Sequence, residues 1–468
     1  MRRFLTRSAS PAPAGRPARR GTASTARRLG VAGVAIVTLI AGAPGAVQAA
    51  PAEAPAVTGS GGHGPKLRNV GYFTQWGIYG RAFLVKNLDT SGAAAKLTHI
   101  NYAFGNVNAE GLCASVDVWA DYQKVFTAEE SVDGVADNWG EPLNGNFGQL
   151  LKLKAKHPKL KVNMSLGGWT LSKYFSDAVL TAESRRKLVS SCVDIFIKGN
   201  LPSLGPGDAG GPGSGAGVFD GIDLDWEWPN WPGNPGNILR PEDKKNFTLL
   251  LTEFRRQLDA YGRTTRKHYE LTAFLPANPA AIDAGFEVKK IFKYFDFATV
   301  QGYDFHGTWE SITNQQSALR RPAGAPDNPD FTASRAINAY TSRGAPSRKL
   351  VLGIPYYGQG WTGVQGGGDG LFQPAAGPAP GTWAPGTEDY KKLAQLAAGG
   401  TFTVYRDWRA GHAWLFDGTT FWTFDDPVLA RQKTWFIRRL DLGGAMVWSL
   451  DGDDANATMT KTIAAGLS

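Results

Sequence analysis

One segment near the middle of the chain alternates acidic with apolar residues. It has the sequence Phe219-Asp220-Gly221-Ile222-Asp223-Leu224-Asp225-Trp226-Glu227-Trp228-Pro229. Because the side chains of a strand alternate between its two faces, this pattern predicts a strand with Asp223, Asp225 and Glu227 on one face, about 6.6 Å apart per step. The apolar residues between them take the other face, and Pro229 ends the strand.

Seven further apolar runs have the length of strands. They lie at 69–74, 99–104, 161–166, 271–275, 297–301, 350–354 and 445–450, and helix-period segments such as 147–156, 182–198 and 241–261 separate several of them. Strands that alternate with helices predict parallel pairing. Eight such units favour an α/β fold, a closed (β/α)8 TIM barrel over residues 66–468. A doubly wound open sheet is the alternative, but no dinucleotide fingerprint follows the first strand.

The start of the chain has the composition of an export signal. Residues 1–49 carry eight arginines, no acid, an apolar run at 29–42 and small residues before Ala50. That run is shorter than the roughly 20 residues of a membrane span, so it predicts a secretory signal peptide, with a membrane anchor as the alternative. Arg27 and Arg28 leave a twin-arginine export route open. Residues 50–65, rich in Ala, Pro and Gly, predict a flexible leader.

Net charge argues against a nucleic-acid partner. The whole chain carries +9, but without residues 1–49 it has 42 basic and 41 acidic groups. A nearly neutral mature protein offers no positive surface excess for a phosphate backbone. We therefore expect no nucleic-acid partner, and no membrane association after removal of the signal.

A long segment separates the seventh and eighth predicted strands. Residues 362–442 contain strand-like and helix-like pieces and predict a small α+β insertion subdomain.

The chain has two cysteines, and in an exported protein Cys113 and Cys192 are able to pair. Because Cys192 lies in an amphipathic helical stretch, a buried free thiol is equally consistent with the sequence, and both alternatives stay open.

Three carboxylates on the inner face of a barrel are costly to ionise together. They suit general acid/base chemistry with a shared proton, and Glu227, outermost and flanked by Trp226 and Trp228, is the candidate for the protonated acid. A divalent metal is the competing use, but such sites usually collect ligands from several loops, and no histidine lies nearby. We predict neither a metal nor a cofactor. An acidic strand end without a function would carry the same desolvation cost with nothing to offset it.

Aromatic residues recur where the predicted strands end. They are Tyr72, Trp76, Phe104, Trp169, Trp309, Tyr356, Tyr357 and Trp448. The C-terminal ends of barrel strands hold the substrate in such folds. Flat rings stack on sugar faces, so this repetition indicates a polysaccharide.

As a set, these motifs resemble those of the chitinases of glycoside hydrolase family 18. The D-x-x-D-x-D-x-E motif matches at Asp220, Asp223, Asp225 and Glu227, and the S-x-G-G motif at 165–168. Residues 303–310 are similar to the sixth-strand segment of that family, and Trp448 to its eighth-strand tryptophan. Residues 146–150 and 357–363 resemble bacterial members that carry the inserted α+β domain.

The resemblance implies a retaining mechanism in which the N-acetyl group of the substrate is the nucleophile. It implies that Glu227 is the general acid/base, that Asp225 holds the acetamido N–H, that Asp223 shares a proton with Asp225, and that Tyr303 contacts the acetamido oxygen. The remaining substrate-binding residues that it implies are Tyr72, Trp76, Phe104, Trp169, Asp304, Trp309, Tyr357, Trp383 and Trp448.

Two positions depart from the family pattern. Gln301 occupies a position where Met is common, and Gln359 one where Arg is common. Both lie near the expected groove, so substrate preference and subsite affinity depend on them.

The predicted function is that of a secreted, extracellular and monomeric chitinase acting on chitin and chito-oligosaccharides. One alternative is an endo-β-N-acetylglucosaminidase acting on the chitobiose cores of N-glycans. The other is a non-catalytic chitin-binding lectin, although such relatives usually lack the acid at the position of Glu227.

Overall fold

The computed structural model describes residues 67–326 and 331–468. The predicted signal peptide, 1–49, and leader, 50–65, lie outside the described residues. Within the described part of the chain, no helix is long and apolar enough to cross a membrane.

Eight parallel strands in the described ranges close into a barrel, which confirms the predicted (β/α)8 fold. In chain order, β1 to β8 are Arg68–Thr74, His99–Val107, Lys161–Gly167, Gly221–Asp225, Glu270–Leu275, Ala298–Val300, Leu350–Pro355 and Gly444–Trp448. Each strand pairs with the next along the chain, and β1 pairs with both β2 and β8. This pairing brings the C-terminal ends of all eight strands to one rim.

Helices follow the strands and form the outer layer. Their bounds are Val85–Thr90, Gly145–Lys156, Phe175–Ala178, Ala182–Cys192, Asp243–Thr265, Pro279–Gly285, Val288–Ile291, Ala333–Ser342, Pro427–Arg439 and Thr458–Leu467. The longest of them, Asp243–Thr265, buries an apolar stripe that includes Leu250, Leu251, Phe254 and Leu258. A stripe at this spacing is typical of a helix that packs on a sheet.

The strand alternation separates two cores. Ile222 and Leu224 of β4 belong to the large apolar cluster between strands and helices, where the Trp226 ring also stacks on Phe175 at 5.3 Å. A smaller apolar cluster lies inside the barrel and includes Tyr72 and Phe104. The inner faces of the strands therefore surround the acidic residues of β4 with aromatic side chains.

A second sheet, in which all pairings are antiparallel, follows β7. Its strands are Tyr357–Thr362, Gly377–Pro378, Thr387–Asp389, Thr403–Asp407, His412–Phe416 and Thr420–Phe424, and the helix Tyr390–Ala398 accompanies them. Because Tyr357–Thr362 begins two residues after β7 ends, this sheet stands directly at the C-terminal rim of the barrel.

The two cysteines form a disulfide, with their Cα atoms 4.9 Å apart. Cys113 begins the short strand Cys113–Ser115, which pairs antiparallel with β2, and Cys192 ends the helix Ala182–Cys192. Of the two alternatives that the sequence left open, the structure therefore has the disulfide, which ties the extension of β2 to an outer helix.

Replacing both cysteines with serine should lower the free energy of unfolding by about 2–4 kcal/mol. The bond closes a loop with a sequence separation of 79, so its removal frees the unfolded chain. Urea unfolding measures the change. Reductant should lower the urea midpoint of the wild type and leave that of the double variant unchanged. A single midpoint for all of these samples would contradict the prediction.

Candidate active site

Asp223 lies at the centre of the barrel, fully buried on the inner face of β4. The strand register places Ser165 of β3 and Thr272 of β5 on either side of it. Its Oδ2 accepts hydrogen bonds from the Tyr72 hydroxyl and Ser165 Oγ, both at 2.8 Å, and its Oδ1 accepts one from Thr272 Oγ1 at 2.6 Å. Burial raises the pKa of Asp223, and these three donors partly lower it.

Asp225 is the next inward residue and the last residue of β4. It is 3 % exposed, and its Oδ1 has no hydrogen-bond partner among the described residues. Burial raises the pKa of Asp225 well above its usual range, and the negative charges of Glu227 and Asp223 raise it further. A buried acceptor without a donor is uncommon in proteins, so Oδ1 is suited to a donor that arrives with a ligand.

The predicted strand ends earlier than expected: β4 stops at Asp225, and Glu227 lies two residues beyond it rather than within the strand. There its main chain bonds to side chains of the neighbouring loops instead of to a strand. Its backbone N–H donates to Ser172 Oγ at 2.9 Å, and its backbone carbonyl accepts from Asn237 Nδ2 at 3.0 Å. Burial raises the pKa of Glu227 to about 8, the charge of Asp304 adds to this, and a hydrogen bond with Asp225 lowers it. The Glu227 carboxyl is therefore protonated at neutral pH, which is the state a general acid needs.

Tyr303 and Asp304 follow β6. Asp304 has a left-handed backbone, with φ of 53°, and its Oδ1 accepts a hydrogen bond from Gln359 Nε2 at 3.0 Å. Burial raises the pKa of Asp304, while hydrogen bonds from Tyr357 and Gln359 partly lower it. The Tyr303 ring stacks on Phe274, with centroids 6.1 Å apart, and this contact orients its hydroxyl-bearing ring within the barrel mouth.

The aromatic residues at the strand ends form a connected group around Trp448. The Trp448 ring lies nearly parallel to Phe104, with centroids 5.6 Å apart and planes at 18°. Tyr72 meets Trp448 edge-on at 5.3 Å, and Trp76 lies 6.5 Å from it. These contacts hold a flat apolar surface beside the carboxylates.

A cavity of about 810 Å³ opens at this rim. Ten of the predicted site residues line it: Tyr72, Trp76, Phe104, Trp169, Asp225, Glu227, Tyr303, Asp304, Trp309 and Trp448. Three others do not line it. Asp223 lies beneath, Tyr357 contacts Asp304 from behind, and the Trp383 indole donates to Asp389 Oδ2 at 3.1 Å and stacks on Arg81.

Gln301, which the sequence placed near the groove, also lines the cavity. Three further lining residues were not singled out as site residues from the sequence: Thr170, Trp228 and Phe274. Phe274 lies two residues after Thr272 on β5 and shares its inward face, but every residue of 271–275 except Thr272 is apolar, so the pattern showed no preferred face. Trp228 and Thr170 each follow a residue that the sequence did single out.

Metal ligands do not gather in the described ranges, where no group of three His, Cys, Asp or Glu is placed to hold an ion. His306, which follows the sixth strand, is buried, and its Nδ1 lies 2.9 Å from Glu310 Oε1. His306 is thus hydrogen-bonded to a carboxylate, and it does not line the cavity.

Comparison with protein families gives a match over most of the chain. The sequence profile described as "Glycosyl hydrolases family 18" matches residues 68–453. These residues contain all eight barrel strands, the second sheet and every residue that lines the cavity.

Among individual relatives, chitinase C of Streptomyces lividans is 40 % identical over 403 residues, which cover 85 % of this chain and 59 % of that one. Chitinase A1 of Niallia circulans is 34 % identical over 437 residues, 85 % of this chain and 58 % of that one. The chain thus spans about three fifths of the length of these relatives.

Among solved structures, the catalytic domain of psychrophilic chitinase B from Arthrobacter TAD20 is similar with a TM-score of 0.82 and 46 % identity. The similarity covers 86 % of this chain and 95 % of that one.

The hydrogen bond from Thr272 to Asp223 is testable through stability. Thr272→Val keeps the shape of the side chain but leaves Asp223 Oδ1 without its donor, so we expect the free energy of unfolding to fall by about 1–3 kcal/mol. Thr272→Ser, which keeps the hydroxyl, should lose less than Thr272→Val. Urea unfolding compares the two variants, and equal losses would show that the hydroxyl does not matter.

Proposed function

The chain belongs to family 18 of the glycosyl hydrolases, and we propose that it is a secreted chitinase that hydrolyses the β-1,4 linkages between N-acetylglucosamine units. The observation that carries this proposal is that Glu227 and Asp225, whose Oδ1 has no partner among the described residues, line one cavity together with aromatic side chains. The names of the relatives, chitinase C and chitinase A1, support the same substrate.

Glu227 supplies the proton that bond cleavage requires. Its carboxyl donates to the glycosidic oxygen, the bond from that oxygen to the anomeric carbon breaks, and the leaving sugar departs as an alcohol. The acetamido oxygen of the sugar that keeps this anomeric carbon, and not of the leaving sugar, attacks it as the bond breaks, which gives an oxazolinium ion. Family 18 is an exception to the scheme in which a second carboxylate is the nucleophile. Asp225 therefore does not need to reach the anomeric carbon.

Water completes the reaction from the face that the leaving group vacated. The Glu227 carboxylate takes a proton from this water as it attacks the anomeric carbon, and the oxazolinium ring reopens to the acetamide. Glu227 is then protonated again. Because two displacements occur at one carbon, the product keeps the β configuration.

Asp225 and Tyr303 position the acetamido group. Asp225 Oδ1 accepts the acetamido N–H, which stabilises the positive charge that develops on the oxazolinium ion. Tyr303, inside the cavity and packed on Phe274, hydrogen-bonds the acetamido oxygen. Asp223, fully bonded to three hydroxyls, fixes the place of Asp225 from below and adds negative charge.

The aromatic residues define where the polymer lies. The reacting sugar stacks on Trp448, with Tyr72 and Phe104 at its border. Three tryptophans are exposed at the rim: Trp76 at 40 %, Trp169 at 49 % and Trp309 at 62 %. Exposed indoles are suited to stack on further sugars, Trp76 toward the non-reducing end and Trp169 and Trp309 on the leaving side. Tyr357 supports Asp304 from behind the cavity, and Trp383, half-exposed beside Arg81, stays a predicted sugar contact outside it.

The disulfide supports export. Bonds of this kind persist in oxidising compartments and are rare in the reducing cytosol. Together with the arginine-rich and apolar residues 1–49, the pair Cys113–Cys192 favours a secreted, extracellular protein.

Glu227→Gln should abolish hydrolysis while leaving the cavity intact. We expect kcat on N-acetylglucosamine hexasaccharide to fall by about 10³-fold or more, because the amide neither donates nor accepts the catalytic proton. A chromatographic time course measures kcat, and calorimetry measures the hexasaccharide Kd, which should change little. Glu183→Gln, at an exposed helix position, is the matched control and should keep full activity.

Three results would overturn this proposal in different ways. Full activity of Glu227→Gln would remove the acid assignment. Tight binding without cleavage by the wild type would indicate a chitin-binding lectin. Glycan release from a high-mannose glycoprotein with the hexasaccharide untouched would indicate an endo-β-N-acetylglucosaminidase.

A further inference from the structure

Gln359 is a buried residue that contacts the site from the second sheet. It lies on the strand Tyr357–Thr362, it is 6 % exposed, and its register pairs it with Thr387 and Thr423. Its Nε2 donates to Asp304 Oδ1 at 3.0 Å. The contact joins residues that are 55 positions apart in the sequence, so the second sheet supplies a direct partner to an acidic residue of the cavity.

The groups that face Asp304 are either acidic or neutral. Tyr357 and Gln359 hold Asp304 from the second sheet, Tyr303 precedes it, and Glu227 interacts with it from the end of β4. None of the residues that line the cavity, all of them in the described part of the chain, is a Lys, an Arg or a His. His306, two residues further on, is directed instead to Glu310.

A negative charge that no cation neutralises acts strongly on its neighbours in a buried site, because the local dielectric is low. After burial, the charge of Asp304 is the largest cause that raises the pKa of Glu227. The amide of Gln359 donates one hydrogen bond to Asp304 and brings no positive charge to oppose this effect. An arginine guanidinium at the same position would donate a hydrogen bond to Asp304 and would also bring a positive charge.

We propose that the neutral side chain at position 359 sets the pH range of the reaction: because Gln359 holds Asp304 without bringing a cation, the charge of Asp304 is left to keep Glu227 protonated, and the enzyme active, toward alkaline pH. This inference rests on the proposed function, in which Glu227 is the general acid. It gives a physical meaning to the departure from the family pattern, which commonly has Arg at this position. Gln359 is thus a positioning residue that acts through Asp304.

The test is the pH profile of kcat/KM on N-acetylglucosamine hexasaccharide for the wild type, Gln359→Arg and Gln359→Lys. Activity falls as pH rises through the pKa of the acid in the free enzyme, so a lower pKa moves the alkaline limb to lower pH. We expect a cation beside Asp304 to move this limb down by about one pH unit. Asp304→Asn, which removes the negative charge itself, should move it in the same direction even if the cationic variants fold poorly.

Two controls separate charge from shape. Gln359→Met removes the hydrogen bond without adding charge, and the position of its alkaline limb should differ from that of the wild type by less than about 0.3 pH units, whatever its kcat. Gln395→Arg adds the same charge at an exposed position of the helix Tyr390–Ala398, where solvent screens it, and should leave the profile unchanged.

A second readout does not depend on turnover. Carbon-13 NMR of glutamate-labelled protein, assigned through Glu227→Gln in each background, follows the Glu227 carboxyl directly. Its titration should move to lower pH in Gln359→Arg. The inference fails, and the proposed function stands, if the Glu227 titration and the alkaline limb of kcat/KM both stay at their wild-type pH. This result would have to hold in the folded cationic variants and in Asp304→Asn. A wild type that titrates as expected but cleaves no hexasaccharide would overturn the proposed function alone.

Discussion

The rest of the site depends on how the barrel tolerates carboxylates in its dry interior. β4 places Asp223 and Asp225 inward, where ionising several acids together is costly, and the structure meets this constraint in two ways. Asp223 receives three hydroxyl donors from neighbouring strands, whereas Asp225 keeps one oxygen free of any partner among the described residues. Burial then raises the pKa of Glu227, so that the outermost acid holds its proton at neutral pH.

The surrounding fold makes this arrangement rigid. Ile222 and Leu224 anchor β4 in the core beneath the helices, so the alternating acids have only the interior to face. Phe104 and Trp448 close one side of the cavity with stacked rings, and the second sheet reaches Asp304 from another side through Tyr357 and Gln359. Catalytic groups held by strands and packed rings are positioned before the substrate arrives, which lowers the reorganisation that the reaction requires.

Local sequence patterns were sufficient to predict the barrel strands and the inward position of two of the acids. Runs of apolar residues predicted all eight barrel strands, and period-two alternation predicted the inward face of Asp223 and Asp225. Contacts between distant segments were not predictable in the same way. The hydrogen bond from Gln359 to Asp304 crosses from one sheet to the other, the inward face of Phe274 was hidden in a nearly uniform apolar strand, and the state of Cys192 depended on where Cys113 came to lie.

In the proposed mechanism the buried acids assist an attack by the acetamido group of the substrate. The most direct test follows hydrolysis of N-acetylglucosamine hexasaccharide by proton NMR, with the fully deacetylated hexasaccharide as a matched substrate. We expect the first products to be β anomers and the deacetylated chain to stay uncleaved, because it lacks the attacking oxygen. Initial α anomers, or cleavage of both chains at similar rates, would contradict this mechanism.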